Sequence, residues 1–323
     1  MNFLLEQTLP IAERLGLGVR ILTDPAPALE LRYPNGEVRH LYHCWPDINP
    51  AAAARAAAMK AWSLHFLKEA GVSVPDFACF GKQAWAEAHM PGRDEAAAIA
   101  YAETLGFPVV LKPCTLSYSQ GVHLVASAEE MRRRLPEVTA QDPMFLVQRY
   151  VRGREYRVVV LDGRIELVFE KSPVKVRGDG LRTLGSLLES HLAALRAQGH
   201  EAEITAEDSR FDSFLGASGR TRADVPARGE EVQLSLAAGL ISGGEVAEAD
   251  SFPGELHGEM LAIAREAGLR YAGIDVILNA EGPHLIEINA YPGNGGYAAL
   301  SAESLTRVQE LTARLVEAMR RPA

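Results

Sequence analysis

The sequence predicts a mixed α/β (α+β) fold. Three observations support this: an alanine-rich stretch at 51–70 that stops at Gly71, an Asp-Gly pair at 162–163 between two runs rich in β-branched residues, and the alternation of such patterns along the chain. A glycine directly after an alanine-rich run is typical of a helix end, and Asp-Gly between strand-like runs is typical of a β-hairpin. Alternation of the two patterns predicts sheets and helices that share hydrophobic cores.

Caps, turns and apolar periodicity predict the remaining elements in chain order. The first residues form a short helix, and residues 94–105 form a second helix that Gly106 ends. Ser127 with Glu130 three residues later is a capping box, which predicts a helix start. Strands are predicted at 107–111 and 145–148, hairpins at 156–169 and 272–288, and helices at 183–197, before Gly268 and along an apolar stripe at 305, 308, 311 and 315. Turns are predicted at 151–153 and 178–180, and a long ordered loop or small excursion at 198–230.

Composition excludes several classes of protein. The 323 residues are 47% hydrophobic and 23% charged, with a formal net charge of -9. This charge leaves no basic excess for a nucleic acid or an anionic membrane, and no apolar stretch reaches the roughly 18 residues of a membrane span. The absence of a basic leader and the three scattered cysteines predict a cytoplasmic protein without disulfides or a zinc site. His40, His43 and Cys44 have no fourth ligand nearby, so a structural role is favoured, and Cys114 is interpreted as a packing residue.

The second predicted hairpin carries oxygen ligands inside apolar strands. Asp275 lies in its first strand, and Glu287 and Asn289 are two apart in the second, so these two project on one face. Buried carboxylates are costly unless a cation meets them, and hard oxygen ligands suit Mg²⁺. The alternative is a solvated polar strand face. It is less favoured, because Ile286 and Ile288 alternate with the polar residues and no lysine or threonine lies on the same face.

Positive side chains precede this hairpin in the chain. Lys112 follows an apolar strand and Lys60 lies in the alanine-rich helix. Taken alone, a lysine in the position of Lys112 is more often a surface cap than a phosphate ligand, and Lys60 alone is weaker evidence still. After Lys112 comes a loop whose hydroxyls and backbone N–H groups can meet phosphate oxygens. The loop carries hydroxyls at Thr115, Ser117 and Ser119, followed by Gln120 and Gly121.

Read together, these parts resemble the ATP-grasp superfamily of carboxylate–amine ligases. The matching motifs are Met59-Lys60, Phe-Pro-Val-Val-Leu-Lys-Pro at 107–113, Gln-Arg-Tyr-Val-Arg-Gly-Arg-Glu-Tyr-Arg at 148–157, Val-Arg-Gly-Asp-Gly at 176–180, Ile-Ser-Gly-Gly at 241–244, Gly-Ile-Asp at 273–275 and Ile-Glu-Ile-Asn-Ala-Tyr-Pro-Gly at 286–293. The Gly-Asp-Gly and Ser-Gly-Gly elements make the chain most similar to the ATP-grasp modules of cyanophycin synthetases and bifunctional glutathione synthetases. The resemblance covers roughly residues 50–295, and the joint match is more specific than any single motif.

The resemblance implies a role for each of these residues. The nucleotide would be held by Lys60, Lys112, Ser117, Ser119, Gln120, Gly121, Gln148, Arg149, Tyr150, Val151, Glu155 and Lys171. Within this set Lys60 and Lys112 would meet the phosphates, 148–151 would form the adenine hinge, and Glu155 would hold the ribose. Two Mg²⁺ ions, with Mn²⁺ as a substitute, would be bound by Asp275, Glu287 and Asn289. The acceptor side would be formed by Arg157, Ser242, Gly243 and Gly244, with Arg157 and Lys112 as the catalytic residues.

For two of these assignments, an alternative stays open. Arg157 is equally consistent with a surface or sheet-pairing role, and the glycine turn at 242–244 with a tight loop that meets no ligand. The chain also departs from its relatives: Gln148 stands where an acidic residue usually opens the adenine hinge, and the phosphate loop 114–120 contains less glycine. The segment 232–240 lacks the arginine that relatives carry before Ser-Gly-Gly, so Arg157, Lys171 or Lys175 would have to supply that charge.

The expected fold is therefore an ATP-grasp fold in three regions. These are an N-terminal substrate-side region at 1–74, a central lobe at 75–150 and a C-terminal lobe at 151–323, with the nucleotide clamped between the last two. The implied activity joins a carboxylate and an amine, amino acids or a short peptide, through an acyl phosphate, releasing ADP and phosphate. A small-molecule kinase and a non-catalytic nucleotide-binding module are the alternatives. The resemblance also allows a homodimer.

Overall fold

A computed structural model describes residues 2–24, 26–199, 204–249 and 251–320. Within these ranges, three antiparallel β-sheets are flanked by helices. This arrangement confirms the mixed α/β prediction. The boundaries at 74 and 150 between the three regions stay a prediction.

The N-terminal part consists of a helix and a small sheet. Helix α1 (Phe3–Arg14) begins at Asn2, whose side-chain oxygen accepts from the Leu5 N–H at 3.1 Å and so satisfies one free donor of the first turn. The strands, hydrogen-bonded in chain order, are β1 (Gly18–Leu22), β2 (Ala28–Arg32), β3 (Val38–Tyr42) and β4 (Trp45–Pro46).

The alanine-rich stretch forms two helices, α2 (Ala51–Ala57) and α3 (Lys60–Glu69). Met59 between them is extended (φ -108°, ψ 95°), and the Lys60 N–H donates to the Cys114 carbonyl at 3.0 Å. The prediction of one helix over 51–70 was wrong, because this long-range hydrogen bond outweighs the helix propensity of alanine. The break fixes the N-terminus of α3 beside the chain that follows Lys112.

A second sheet has the order β5-β8-β6-β7. In chain order, this part contains β5 (Phe77–Gly81), α4 (Gln83–His89), α5 (Glu95–Leu105), β6 (Val109–Pro113), β7 (His123–Val125), α6 (Ala128–Gln141) and β8 (Met144–Arg149). The Ser127 hydroxyl caps α6 by accepting from the Glu130 N–H, as predicted. The strand predicted from residue 107 begins two residues later than expected, at Val109.

The largest sheet has the order β11-β10-β9-β13-β14, and β12 also pairs with β10. This part contains β9 (Arg154–Leu161), β10 (Arg164–Arg177), α7 (Leu184–Ala197), α8 (Ser209–Ala217), β11 (Glu231–Ala238), β12 (Glu245–Glu248), α9 (His257–Glu266), β13 (Tyr271–Asn279), β14 (Gly282–Asn289), α10 (Gly295–Ala298) and α11 (Ala302–Ala318). Asp162 and Gly163 both have positive φ (46° and 71°) in the turn between β9 and β10, as a two-residue hairpin requires. The stretch 198–230 is not only a loop, because it contains α8; residues 200–203 lie outside the described ranges.

The largest sheet is buried on both faces by alternate residues of the same strands. Val159 and Leu161 of β9 pack in one core with α1, the small N-terminal sheet and α11. Val158 and Val160 pack in the opposite core with α2, α3 and α9. This period of two follows from the pleat of a strand. Any charged residue in the middle of this sheet must therefore find a partner within it.

Candidate functional site

A row of charged side chains crosses one face of the largest sheet. The strand register pairs Glu155 with Lys171, Arg157 with Asp275, and Asp275 with Glu287. Residues paired across neighbouring strands project on the same face, so the side chains of four strands meet there. Asn289 pairs with Gly273, two residues before Asp275, and so lies on this face as well. The register thus brings together residues that are up to 134 positions apart in the sequence.

Asp275 lies at the centre of the row. Its carboxylate accepts two hydrogen bonds from the Arg157 guanidinium, at 2.7 and 2.5 Å, and lies 3.3 Å from the Lys171 ammonium. The Asn289 amide also donates to it at 3.4 Å. Burial acts to raise the pKa of Asp275, but the charges of Arg157 and Lys171 outweigh that effect and lower the pKa. Asp275 is therefore ionised, and Arg157 lies on this sheet face rather than at the surface. Its cross-strand pair with Asp275 agrees with the sheet-pairing alternative, and its role in substrate binding or catalysis stays a prediction.

Lys171 links Asp275 to the end of β9. Its ammonium lies 2.5 Å from a Glu155 oxygen as well as 3.3 Å from Asp275. Burial acts to lower the pKa of Lys171, but these two carboxylates raise it overall, so the ammonium stays charged. Lys175, four residues on, lies elsewhere: it pairs with exposed Glu231 at 3.0 Å. Of the three groups considered as substitutes for the missing arginine, the structure brings Arg157 and Lys171 into the row.

The two predicted phosphate lysines approach this row from other parts of the chain. Lys60, at the start of α3, is buried; its ammonium lies 3.6 Å from Glu287 and donates to the Leu116 carbonyl at 2.5 Å. Lys112, at the end of β6, is also buried and donates to the Gln148 side-chain oxygen at 2.8 Å. Burial, with the positive charge of Lys60, lowers the pKa of Lys112 to about 8, whereas Glu287 acts to raise it. The Lys112 ammonium therefore faces the same charged region as the row.

The predicted phosphate loop follows Lys112. Its start is fixed by Thr115, whose N–H and hydroxyl both donate to the Asp142 carboxylate, at 2.9 and 2.7 Å. At its tip Tyr118 and Ser119 have positive φ (55° and 56°), which non-glycine residues rarely adopt. Gly121 also has positive φ (66°), and a Cβ there would lie 2.9 Å from Pro113. Ser117 and Gln120 are exposed on this loop, close to Leu116, whose carbonyl binds Lys60.

The predicted adenine hinge, 148–151, connects β8 to β9. Gln148 is buried, and because an ammonium can only donate, its oxygen must face Lys112. Its side-chain nitrogen is then buried with no hydrogen-bond partner among the described residues. The Arg149 side chain is directed away, toward Asp76 at 3.3 Å, while Tyr150 packs beside Val110 and Phe214. Val151 is half-buried.

The Ser242-Gly243-Gly244 turn is buried against β10 and α7. A Cβ at Gly244 would lie 2.1 Å from the Ser172 carbonyl, and one at Gly243 would lie 2.7 Å from Leu192. His191 contacts the Gly243 carbonyl at 2.7 Å. Close packing next to Lys171 thus accounts for both glycines, and the substrate role stays a prediction.

Sequence reasoning missed one residue that holds the site strands together. The Asn49 amide donates to the Tyr271 and Ala290 carbonyls at 2.8 and 2.7 Å, and its oxygen accepts from the Arg270 and Tyr271 N–H groups, both at 2.9 Å. These four hydrogen bonds connect the start of β13 to the chain just after Asn289. The only local signal was an asparagine before Pro50, which is typical of a turn.

The donor set fits a bound polyanion. Four cations and three carboxylates form the region described above, namely Lys60, Lys112, Arg157 and Lys171 with Glu155, Asp275 and Glu287. One positive charge is left over, and the free Gln148 nitrogen is a buried donor that needs an acceptor. A nucleotide would supply negative charge through its phosphates and a hydrogen-bond acceptor for the Gln148 nitrogen through its base.

Three side chains of this site carry the type of oxygen atom that magnesium prefers as a ligand. Asp275, Glu287 and Asn289 offer hard oxygen atoms from two adjacent strands. Among the residues described, no group of three or more His, Cys, Asp or Glu side chains could hold a metal ion by itself. His40, for which a structural role is predicted together with His43 and Cys44, lies 3.8 Å from Glu30 and stacks on Tyr42. A magnesium site here would depend on phosphate oxygens as well, which is typical of this ion with nucleotides.

Comparison with known proteins shows where the chain belongs. A family model described as D-ala D-ala ligase C-terminus matches residues 66–231, just over half of the chain. The chain belongs to this ATP-grasp ligase family. The matched part of the ATP-grasp chain includes Lys112, the phosphate loop, Glu155 and Lys171, while β13 and β14 lie beyond it.

Relatives cover the ATP-grasp part of the chain as well. It is 29% identical over 203 residues to cyanophycin synthetase of Trichormus variabilis, which is 58% of this chain and 22% of that protein. It is 28% identical over 200 residues to the glutathione biosynthesis bifunctional protein GshAB of Streptococcus thermophilus, 57% of this chain and 26% of that protein. The chain thus spans only about a quarter of the length of these relatives.

Solved structures support the ATP-grasp fold. A bifunctional glutathione synthetase from Pasteurella multocida matches 95% of this chain and 44% of its own, with a TM-score of 0.53 and 18% identity. A D-alanine–D-alanine ligase from Bacillus anthracis matches 84% of this chain and 68% of its own, with a TM-score of 0.50 and 18% identity. At these identities the likeness concerns the fold. No helix within the described ranges is both long and apolar enough to cross a membrane.

Proposed function

We propose that this ATP-grasp chain is an ATP-dependent ligase that joins a small carboxylate to an amine through an acyl phosphate. One observation carries the proposal: the register of four strands places Glu155, Arg157, Lys171, Asp275 and Glu287 on one face, and Lys60 and Lys112 reach it from separate elements. A structural ion pair needs two partners. Seven buried or half-buried charges from six elements are instead typical of a site that holds a charged ligand.

The nucleotide would lie between the sheet of β5–β8 and the largest sheet. Lys60 and Lys112 are the cations directed to its phosphates, and the loop 114–121 lies beside Lys60 through the Leu116 carbonyl. The free Gln148 nitrogen supplies a donor for the base, while Glu155, which accepts from Lys171 in the free chain, is the acceptor for ribose hydroxyls. The hinge 148–151 is the short connection that lets these groups meet one molecule.

We infer that two magnesium ions would be bound by Asp275, Glu287 and Asn289. Manganese could substitute for magnesium. Bound with the nucleotide, Mg²⁺ would offset the negative charge of the phosphates. In the free chain Asp275 is fully engaged by Arg157 and Lys171, so a metal ion would compete with these two cations. Their release would give the site two positive groups next to the reacting phosphate.

The reaction would begin when a substrate carboxylate oxygen attacks the γ-phosphorus and the bond to the β–γ bridging oxygen breaks, leaving ADP. The amine of a second substrate then attacks the acyl carbon, phosphate leaves with the bonding electrons, and the amine proton passes to solvent or phosphate. Arg157 and Lys112 are the cations we assign to the phosphoryl charge, because Arg157 is half-buried, Lys112 is buried, and both are ionised near neutral pH. The loop 114–121 would exclude water from the acyl phosphate.

The substrates we expect are amino acids or a short peptide. The names of the relatives support this class, since cyanophycin synthetase, glutathione synthetase and D-alanine–D-alanine ligase are all named for amino-acid or peptide products. The arginine missing from 232–240 does not exclude the amide step, because Arg157 and Lys171 bring positive charge to the same face. A homodimer stays a prediction.

The test is a screen for ADP release with ATP, Mg²⁺ and amino acids singly and in pairs. Mass spectrometry of the active mixtures should show a product equal to the two substrates minus one water. Glu287→Gln, which keeps the size of the side chain but removes the charge, should abolish ADP release. A phosphorylated product without an amide would establish a kinase instead, and nucleotide binding without ADP release from any pair would establish a binding module; either result refutes the ligase proposal.

A further inference from the structure

Helix α8 lies in the C-terminal segment of the chain but packs on the sheet of β5–β8. Phe214 is buried with Val110 of β6 and Leu124 of β7. The Ser213 hydroxyl contacts the His123 ring at 3.0 Å. The Ser209 hydroxyl donates to Glu137 of α6 at 2.7 Å. The helix therefore joins the two parts of the chain that border the proposed nucleotide site.

The start of α8 also reaches the phosphate loop. The Arg210 guanidinium donates to the Ser119 carbonyl at 2.6 Å. Ser119 is one of the two adjacent non-glycine residues with positive φ at the loop tip. Such a conformation costs about 1–3 kcal/mol per residue and persists only where surrounding contacts impose it. The Arg210 bond is one of these contacts, and the Val122 N–H provides another at 3.2 Å to the same carbonyl.

Arg210 itself is held in a fixed orientation. Asp208 accepts from its Nε at 2.9 Å and from its second terminal nitrogen at 2.8 Å, and it also accepts from the Arg210 backbone N–H at 2.9 Å. The Arg210 side chain is only 11% exposed. The carboxylate thus presents one N–H of the planar guanidinium to Ser119, so little side-chain freedom is lost in making that bond.

A polar cavity of about 290 Å³ borders the loop near the start of α8, and its lining includes Gly121, His123, Glu137 and Arg210. Burial, with the charge of nearby Arg134, lowers the pKa of His123 to about 4, so its contact with Ser213 does not change charge near neutral pH. The Arg210 bond to the Ser119 carbonyl is therefore made at the edge of a polar cavity.

We infer that Arg210 is a positioning residue that holds the phosphate loop in its nucleotide-binding conformation from across the cleft. This inference rests on the proposed nucleotide site. Arg210 acts through the Ser119 carbonyl and does not itself need to touch the nucleotide. If the bond is lost, the loop spends only part of its time in the binding conformation, and apparent affinity falls in proportion to that fraction.

The experiment compares Arg210→Ala with Arg220→Ala. Arg220 is a matched control because it also lies between α7 and β11 but pairs with Glu230. Hydrogen exchange of residues 114–122, measured without ligand, should be at least tenfold faster in Arg210→Ala and unchanged in the control. The Kd for ADP with Mg²⁺, measured by calorimetry, should rise about five- to tenfold in Arg210→Ala only. Arg210→Lys, which keeps the charge beside Asp208, should recover part of the affinity.

The outcomes separate the two proposals. If the wild-type chain binds no nucleotide, the proposed function fails, and the inference fails with it. If the wild type binds but Arg210→Ala changes neither exchange nor Kd by more than twofold, the inference alone is refuted. If Arg210→Ala does not fold, Arg210→Lys decides, since a general loss of stability would accelerate exchange throughout α8 and β7, whereas loss of the positioning bond would accelerate it only in 114–122.

Discussion

Nucleotide affinity should fall as the pH rises above about 8, because Lys112 must be charged to hold an anion. In the free chain, burial lowers the pKa of Lys112 from 10.5 to about 8, and the charge of Lys60 adds to that effect. A bound polyanion favours the ammonium and raises this pKa again. Between the two values the affinity should therefore fall by up to about tenfold for each pH unit.

The stability of the fold should change in the opposite direction. Because the pKa of Lys112 is lower in the folded chain than in the unfolded chain, its charged form is destabilising at pH values below about 8. The cost is about 3 kcal/mol there and declines as the pH rises from 8 to 10.5. Replacing Lys112 also leaves the buried Gln148 oxygen unpaired, which costs about 1–2 kcal/mol and so less than the buried charge does. Lys112→Met should thus be at least as stable as the wild type at pH 7.

Calorimetry in buffers of different ionisation enthalpy tests this reasoning. At pH 8.5 about three-quarters of a proton should enter the wild-type chain when ADP with Mg²⁺ binds, and much less should enter Lys112→Met. The variant should also bind more weakly at pH 7, by about 10- to 100-fold for the loss of a buried charge. Equal proton uptake in both chains, or a wild-type affinity that stays constant from pH 7.5 to 9.5, would refute the assignment of this lysine.

Substitutions at three other positions probe the proposed metal site, the glycine turn and the hydrogen bonds of Asn49. Glu287→Gln should lower the affinity for Mg²⁺ and abolish ADP release, and it should lower the free energy of unfolding in urea by only about 1–2 kcal/mol, because it removes the partly exposed carboxylate 3.6 Å from the Lys60 ammonium; retained turnover would remove the metal assignment. Gly244→Ala should destabilise the chain by about 2–4 kcal/mol, because its Cβ would lie 2.1 Å from the Ser172 carbonyl; an unchanged urea midpoint would contradict the packing argument. Asn49→Ala removes four hydrogen bonds and should cost about 2–4 kcal/mol. Asn49→Asp should cost at least as much, because it sets a carboxylate oxygen, which cannot donate, against the Tyr271 and Ala290 carbonyls; a clearly smaller loss in Asn49→Asp would show that the amide donors contribute little.

The parts of the site that sequence predicted well are those fixed by local pattern. The hairpin containing Asp275 and Glu287 could be predicted because two apolar runs flank a turn, and strand alternation then determines which side chains share a face. The Asp162-Gly163 turn and the Ser127 cap were likewise predictable, since each depends on residues within three positions of one another.

The parts that sequence did not predict depend on long-range contacts. The bond from Lys112 to Gln148 joins residues 36 positions apart, and that from Arg210 to Ser119 joins residues 91 apart. No periodicity marks such pairs. The polar stretch around α8 therefore looked like a loop, because its helix is short and is stabilised by packing on another part of the chain rather than by its own sequence.

The ion pairs of Asp275 with Arg157 and Lys171 also explain why the chain can fold with these charged side chains buried and no ligand bound. Removing one partner from a buried pair would leave an uncompensated charge, so Asp275 needs Arg157 and Lys171 in the free chain. Under the proposed function, a metal ion would take the place of these two cations at Asp275. Arg157→Met should therefore impair folding through Asp275 as well as catalysis. The double variant Arg157→Met with Asp275→Asn should recover stability but not turnover, as measured by urea unfolding and ADP release. If the double variant is no more stable than Arg157→Met alone, then the two side chains do not compensate each other, and the exchange of cations proposed for ligand binding loses its basis.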